Sequence, residues 1–141
     1  MNYVLDSSVA FKWVLTEPLY DKARKLRTDF SQGIHRLLAP DAFPIEVAHA
    51  LTKAERQGRI STAHGGVLWA DVMSTSPQLF PSFPLIPRAY QIASRMRIGV
   101  YDCLYVALAE REGCELLTAD DRLVKALQPR FPFITPLSSL P

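Results

Sequence analysis

The stretch Tyr101–Val124, YDCLYVALAEREGCELLTADDRLV, decides the fold. Its first half, Asp102–Glu112, is apolar nearly all round and predicts a buried helix that stops at Gly113. Glu115–Thr118 then predicts a short strand, and Asp120–Gln128 another helix. A buried helix, a tight stop, a four-residue apolar strand and a second helix make up a unit of a parallel sheet covered by helices on both faces.

The same alternation extends outward. Asn2–Leu5 predicts a short buried strand. Ser7–Leu15 predicts a helix started by a Ser-Ser cap, and Pro18–Phe30 a second helix with proline near its start. Arg36–Ala39 is the next candidate strand. Ala42–Gln57 predicts a helix, with Val47, Ala48, Leu51 and Ala54 at helical spacing. Ser61–Ser74 is a helix capped by Ser61 or Thr62, Leu79–Phe83 a short strand between prolines, Pro87–Arg97 a helix and Phe133–Thr135 a last strand. The 11 prolines fall mostly between these segments, where they punctuate elements.

With 141 residues, the chain fits one domain, 1–141, able to bury a core without disulfides. Cys103 and Cys114 form no CxxC pair and read as reduced cysteines. No signal peptide and no apolar run of membrane-spanning length is visible, so a cytoplasmic protein with no membrane partner is expected. The net charge of +2 says little by itself. If four acidic residues gather around metal, however, the rest of the surface becomes clearly basic, which suits a polyanionic substrate.

Four carboxylates carry the candidate chemistry. Asp6 follows the first strand and Asp120 the strand Glu115–Thr118, at the carboxyl ends where open α/β sheets bind ligands. Glu46 lies early in the third helix, beside its apolar stripe and on a face shared with Ala50 and Lys53. Asp102 opens the buried helix. Each also has a purely structural reading, as a helix cap or a first-turn acid. Together they are expected to converge above the strand ends. Clustered carboxylates do not all stay ionised without a cation. A divalent metal resolves that conflict and supplies hydrolytic chemistry at phosphorus. No Ser/His/Asp or Cys/His arrangement and no Gly-rich phosphate loop competes with this reading.

Three segments, Val4–Trp13, Pro44–Leu51 and Tyr101–Glu110 continuing through Leu116–Leu123, resemble the PIN-domain nucleases, and most of all the VapC-type toxins of toxin–antitoxin pairs. The resemblance spans essentially the whole chain. It implies a three-layer α/β/α sandwich with a mainly parallel sheet of about five strands. It also implies Mg²⁺ or Mn²⁺ and endoribonuclease activity that inhibits translation. By position, Asp6, Glu46, Asp102 and Asp120 match the family's catalytic acids, with Asp6, Asp102 and Asp120 as metal ligands. Ser8 and Thr118 match its supporting hydroxyls. His49 departs from the family, which often carries asparagine there, and is expected to stand behind the metal ligands or in the groove rather than to be a ligand itself. His35 and His64 read as surface or turn residues. The implied partners are RNA, a small antitoxin lying over the acidic groove, and a second copy in a homodimer. Trp13, Val14, Leu15, Leu19, Val67, Leu68 and Trp69 could supply such an interface or could simply be core. Two other readings stay open: a non-catalytic binding module of the same fold, and a Mg²⁺-dependent phosphotransfer domain.

Overall fold

The computed structural model describes residues Met1–Pro141. Five strands, β1 (Asn2–Leu5), β2 (Arg36–Pro40), β3 (Gln78–Phe80), β4 (Glu115–Thr118) and β5 (Ile134–Pro136), form one sheet in the order β3-β2-β1-β4-β5. All four pairings are parallel. Seven helices connect them: α1 (Ser7–Val14), α2 (Tyr20–Ser31), α3 (Phe43–Arg56), α4 (Thr62–Met73), α5 (Ile86–Met96), α6 (Val100–Glu112) and α7 (Asp121–Leu127). The helices α1 to α4 pack on one another in one outer layer. In the other, α5 packs along α6, which lies across β1, β2 and β4.

The central strands are apolar on both sides because both faces are covered. Val4, Leu5, Leu37, Leu38, Leu116 and Leu117 are all buried. Within α6, every residue from Cys103 to Ala109 is buried, which explains the absence of a polar stripe. Helix α6 stops at Gly113, whose φ of 65° is left-handed. The amide of Cys114 returns to the carbonyl of Ala109 across this turn, satisfying a free helix-end carbonyl and aiming the chain into β4.

The chain builds β1, β2 and β3 outward in one direction, then returns to place β4 and β5 on the other flank of β1. The reversal point lies between the carboxyl ends of β1 and β4, where Leu5 pairs with Leu117. Open α/β sheets leave a crevice at such a point.

Several local expectations differ from the structure. Pro18 precedes α2 without entering it; Leu19 adopts a left-handed φ of 70° and the helix starts at Tyr20. The strand expected at Leu79–Phe83 is Gln78–Phe80, and Phe83–Leu85 is a 3₁₀ turn feeding α5. Neither serine caps α1: the N-cap position is Asp6, and its side chain makes no capping bond. Ser61 occupies the N-cap of α4, but its hydroxyl pairs with Nδ1 of His64 at 3.1 Å. His35 is half-buried, edge-on to Tyr3, with Nε2 3.5 Å from Asp29. Trp13 is core, 3% exposed, whereas Val67 is 64% exposed.

Candidate active site

Asp6 is the first residue beyond β1, and its amide donates to the carbonyl of Leu117 at 3.0 Å, which stitches it to β4. The side chain is buried, only 5% exposed. Two hydroxyls hold it: Oγ of Ser8 and Oγ1 of Thr118 each donate to Oδ2 of Asp6 at 2.7 Å. Ser8 is positioned in turn, because its Oγ accepts from the amide of Ala119 at 3.0 Å. Thr118 Oγ1 also accepts from the amide of Asp120 at 3.1 Å. A short network therefore locks the ends of β1 and β4 together around one carboxylate.

The other three acids face the same groove, whose volume is about 430 Å³. Glu46 comes from the first turn of α3 and Asp102 from the first turn of α6. Asp120 comes from the turn after β4, and its Oδ1 accepts from the amides of Arg122 and Leu123 at 3.0 and 3.3 Å. Asp120 is thus the N-cap of α7 as well as a groove residue. Asp121 is exposed in the first helical turn and lies outside the groove.

Electrostatics register the crowding. Burial pushes the Asp6 carboxyl up, and the charge on Asp120 adds to this against the two hydroxyl donors. Glu46 is pushed up to about 7, first by burial and then by the charges of Asp6 and Asp102. Asp102 is pushed up to about 6 by burial and by Asp6 and Asp120, while Arg122 works against the rise. The hydroxyl of Tyr105, one turn beyond Asp102, lies toward Glu46 and Ser7 but makes no hydrogen bond. Burial and the Glu46 charge raise its pKa. Perturbed carboxyls gathered in one cleft mark functional sites.

The donor set is all hard oxygen, the chemistry Mg²⁺ and Mn²⁺ prefer. As placed, no three His, Cys, Asp or Glu side chains are drawn together into a metal cage. Mg²⁺ typically needs no such cage, since it binds through one or two carboxylates and keeps several waters. The residues therefore fit an ion held mainly by water and a few carboxylate oxygens.

Sequence reasoning placed Lys53 on the face of Glu46 but missed Lys12 as a second cation of this groove. Lys12 and Lys53 line it together with Glu17 and His49. Glu17 bridges Lys12 at 3.3 Å and Arg59 at 2.7 Å. Burial opposes its ionisation, but these two cations hold its carboxyl below the usual range. The signal was present in helical spacing. Lys12 is four residues after Ser8, and Lys53 is seven after Glu46, so each shares a face with a residue already singled out.

The PIN domain model matches residues 3–127. Ribonuclease VapC12 of Mycobacterium tuberculosis is 36% identical over 124 residues, covering 87% of this chain and 90% of its own length. Ribonuclease VapC9 of the same organism is 30% identical over 129 residues, covering 92% and 94%. Among solved structures, PAE2754 from Pyrobaculum aerophilum has a TM-score of 0.70 at 23% identity, covering 99% of this chain and 94% of that one. VapBC2 from Rickettsia felis, bound to a DNA fragment from their promoter, has a TM-score of 0.64 at 13% identity, covering 96% and 97%. Both structures share the three-layer fold.

Proposed function

Because this chain belongs to the PIN-domain family, we propose that it is a metal-dependent endoribonuclease, a single catalytic domain acting as the toxin of a toxin–antitoxin pair. The observation that carries the reading is the groove itself. Asp6 is held by two hydroxyls at the switch point of the sheet, with Glu46, Asp102 and Asp120 around it. Neither a binding module nor a phosphotransfer domain accounts as well for four acids in a shared cleft within this family.

Asp6, Asp102 and Asp120 would hold Mg²⁺ or Mn²⁺, which when bound lowers the pKa of a coordinated water and offsets charge on the phosphoryl transition state. The chain's own residues do the rest. Ser8 and Thr118 fix Asp6 Oδ2, so this carboxylate needs no reorganisation as the substrate arrives. Glu46, at the groove beside these acids, is the carboxylate placed to accept a proton from the attacking water. Water oxygen bonds to phosphorus, the bond from phosphorus to the 3′-oxygen breaks, and a proton from solvent completes the 3′-hydroxyl. The products carry 5′-phosphate and 3′-hydroxyl ends. Lys12 and Lys53 line the groove and offset the negative charge of the entering phosphate.

The partners of this reading are RNA, a small antitoxin covering the groove, and a second copy of the chain. Leu19, Val67 and Trp69 are exposed and available to an interface, whereas Trp13 is not. The test is end-labelled RNA incubated with purified protein and Mn²⁺, with and without chelator, alongside Asp6→Asn. Cleavage should require metal, vanish in the variant and leave 5′-phosphates. A 2′,3′-cyclic phosphate product would refute the water mechanism, because it demands attack by the RNA's own 2′-hydroxyl. The light-scattering mass of the same preparation reads the dimer; a mass of one chain at micromolar concentration removes it.

A further inference from the structure

We propose that the seam between the α5–α6 pair and α7 is a binding track for the phosphate backbone of single-stranded RNA, leading away from the acidic groove. The proposal rests on the nuclease reading and adds the path of its substrate.

Two hollows lie along this seam. The upper one, about 300 Å³, has Ile98 and Gly99 of the α5–α6 turn on one wall and Arg122 and Ala126 of α7 on the other. Asp102 and Asp120 border it, so it opens from the catalytic acids. The lower one, about 520 Å³, is lined by Arg88, Arg95 and Met96 of α5 and by Arg130 just beyond α7. The walls are consecutive in the chain: Arg95 and Met96 lead to Ile98 and Gly99, and Ala126 leads to Arg130. The two hollows share no lining residue, and the track would join them across the short segments between Met96 and Ile98 and between Ala126 and Arg130.

Asp102 and Asp120 sit at the catalytic end of this seam and Glu110 lines its lower hollow, but the remaining charge is cationic. Arg88 is committed to Glu110 by two hydrogen bonds of 2.7 and 3.0 Å. Arg95, Arg122 and Arg130 form no ion pair with any carboxylate. Arg95 and Arg130 line the lower hollow without a carboxylate partner, and Arg122 lines the upper one beside Asp102 and Asp120. Arg122 lies in the first turn of α7 and Arg130 beyond its end at Leu127, so the two arginines fall in different hollows of the seam. Guanidinium forks suit phosphate oxygens in particular. Arg97, exposed at the turn between the hollows and outside both linings, holds a left-handed φ of 58° at a helix end where glycine is the usual occupant. A phosphodiester chain laid along these arginines would run directly into the groove of Asp6.

The test uses Asp6→Asn protein, which holds RNA without cutting it, as the parent. Fluorescence anisotropy with a labelled 20-nucleotide single-stranded RNA is read over a salt series. Adding Arg95→Gln and Arg130→Gln should weaken binding about tenfold or more at 0.1 M salt. It should also reduce the slope of log affinity against log salt by about 1.4, two phosphate contacts' worth. Adding Arg36→Gln and Arg111→Gln instead, an equal charge change outside the seam, should leave both values at the parent's. Equal thermal melting of all three proteins guards against misfolding. Parent-like affinity and slope in the Arg95/Arg130 variant overturn the track, as does a parent that binds no RNA. A polyglutamate 20-mer bound as tightly, with the same arginine dependence, would assign the seam to an acidic protein segment and overturn the RNA reading. If RNA binds through these arginines but the wild type cuts nothing, the nuclease reading fails and the track stands.

Discussion

Asp120 uses one carboxylate oxygen to cap α7, accepting from the amides of Arg122 and Leu123, while its side chain borders the acidic groove. The sequence suggests giving the helix-start role to Asp121 and the groove role to Asp120. The structure gives Asp120 both, and leaves Asp121 with only the favourable field of a helix N-terminus. Three substitutions separate these effects. Asp120→Ala should cost about 1 kcal/mol of stability through the lost cap and should also lower RNA cleavage by orders of magnitude. Asp120→Asn keeps an oxygen acceptor for the two amides but removes the charge, so it should remain stable and lose cleavage. Asp121→Ala should cost about 0.5 kcal/mol and stay active. Denaturant unfolding beside a cleavage assay at saturating Mn²⁺ decides the matter. A dead Asp121→Ala with an active Asp120→Asn would reverse the assignment.

Helix α6 carries Asp102 at its start and delivers β4, hence Thr118, after its end. Its length and stop therefore set the distance between two parts of the site. The stop depends on Gly113 at φ 65°, with the amides of Gly113 and Cys114 returning to Glu110 and Ala109. A side chain at this φ is strained, so Gly113→Ala should destabilise the protein by about 1 kcal/mol. The neighbourhood is open enough that no steric clash adds to this, since a Cβ there would meet nothing within 4 Å. Urea unfolding reads the loss; an unchanged midpoint would mean that the turn re-forms without a left-handed residue. The helix and its glycine stop were legible because burial and termination are local signals. The failed serine cap of α1 was not legible: Ser8 is drawn away from the helix start by Asp6 Oδ2 and the amide of Ala119, and the latter is 111 residues away in sequence.

At the scale of the molecule, the groove makes stability depend on pH. Glu46 is raised from 4.5 to about 7 and Asp102 from 3.8 to about 6, so the fold favours their protonated forms. A carboxyl raised in the folded state contributes stability at pH below its unfolded value, and the contribution is lost as pH rises toward the folded value. In chelator, these two groups should therefore make the melting temperature fall between about pH 4 and pH 7. Glu46→Gln and Asp102→Asn should each flatten that fall, since neither amide can ionise. Mn²⁺ should restore stability on the alkaline side by binding the folded state. A wild-type profile that stays flat across this window in chelator would remove the electrostatic argument for a cation at this groove.

The sequence by itself determined the alternation of helix and strand, the apolar centre of the sheet and the types of residue available for chemistry. Those properties follow from periodicity, caps and stops within a few residues of one another. Asp6 and Asp120 at strand ends were legible for the same reason. Only the tertiary structure decided that β4 lies against β1, which brings Thr118 within 2.7 Å of Asp6 across 112 residues of chain. Strand order is a long-range choice made by the packing of whole layers, and no local pattern encodes it. The groove cations Lys12 and Lys53 and the seam arginines depended on the same choice. Lys12, Lys53, Arg95 and Arg122 are ordinary helix-surface residues until the sheet sets their helices beside the groove and the seam.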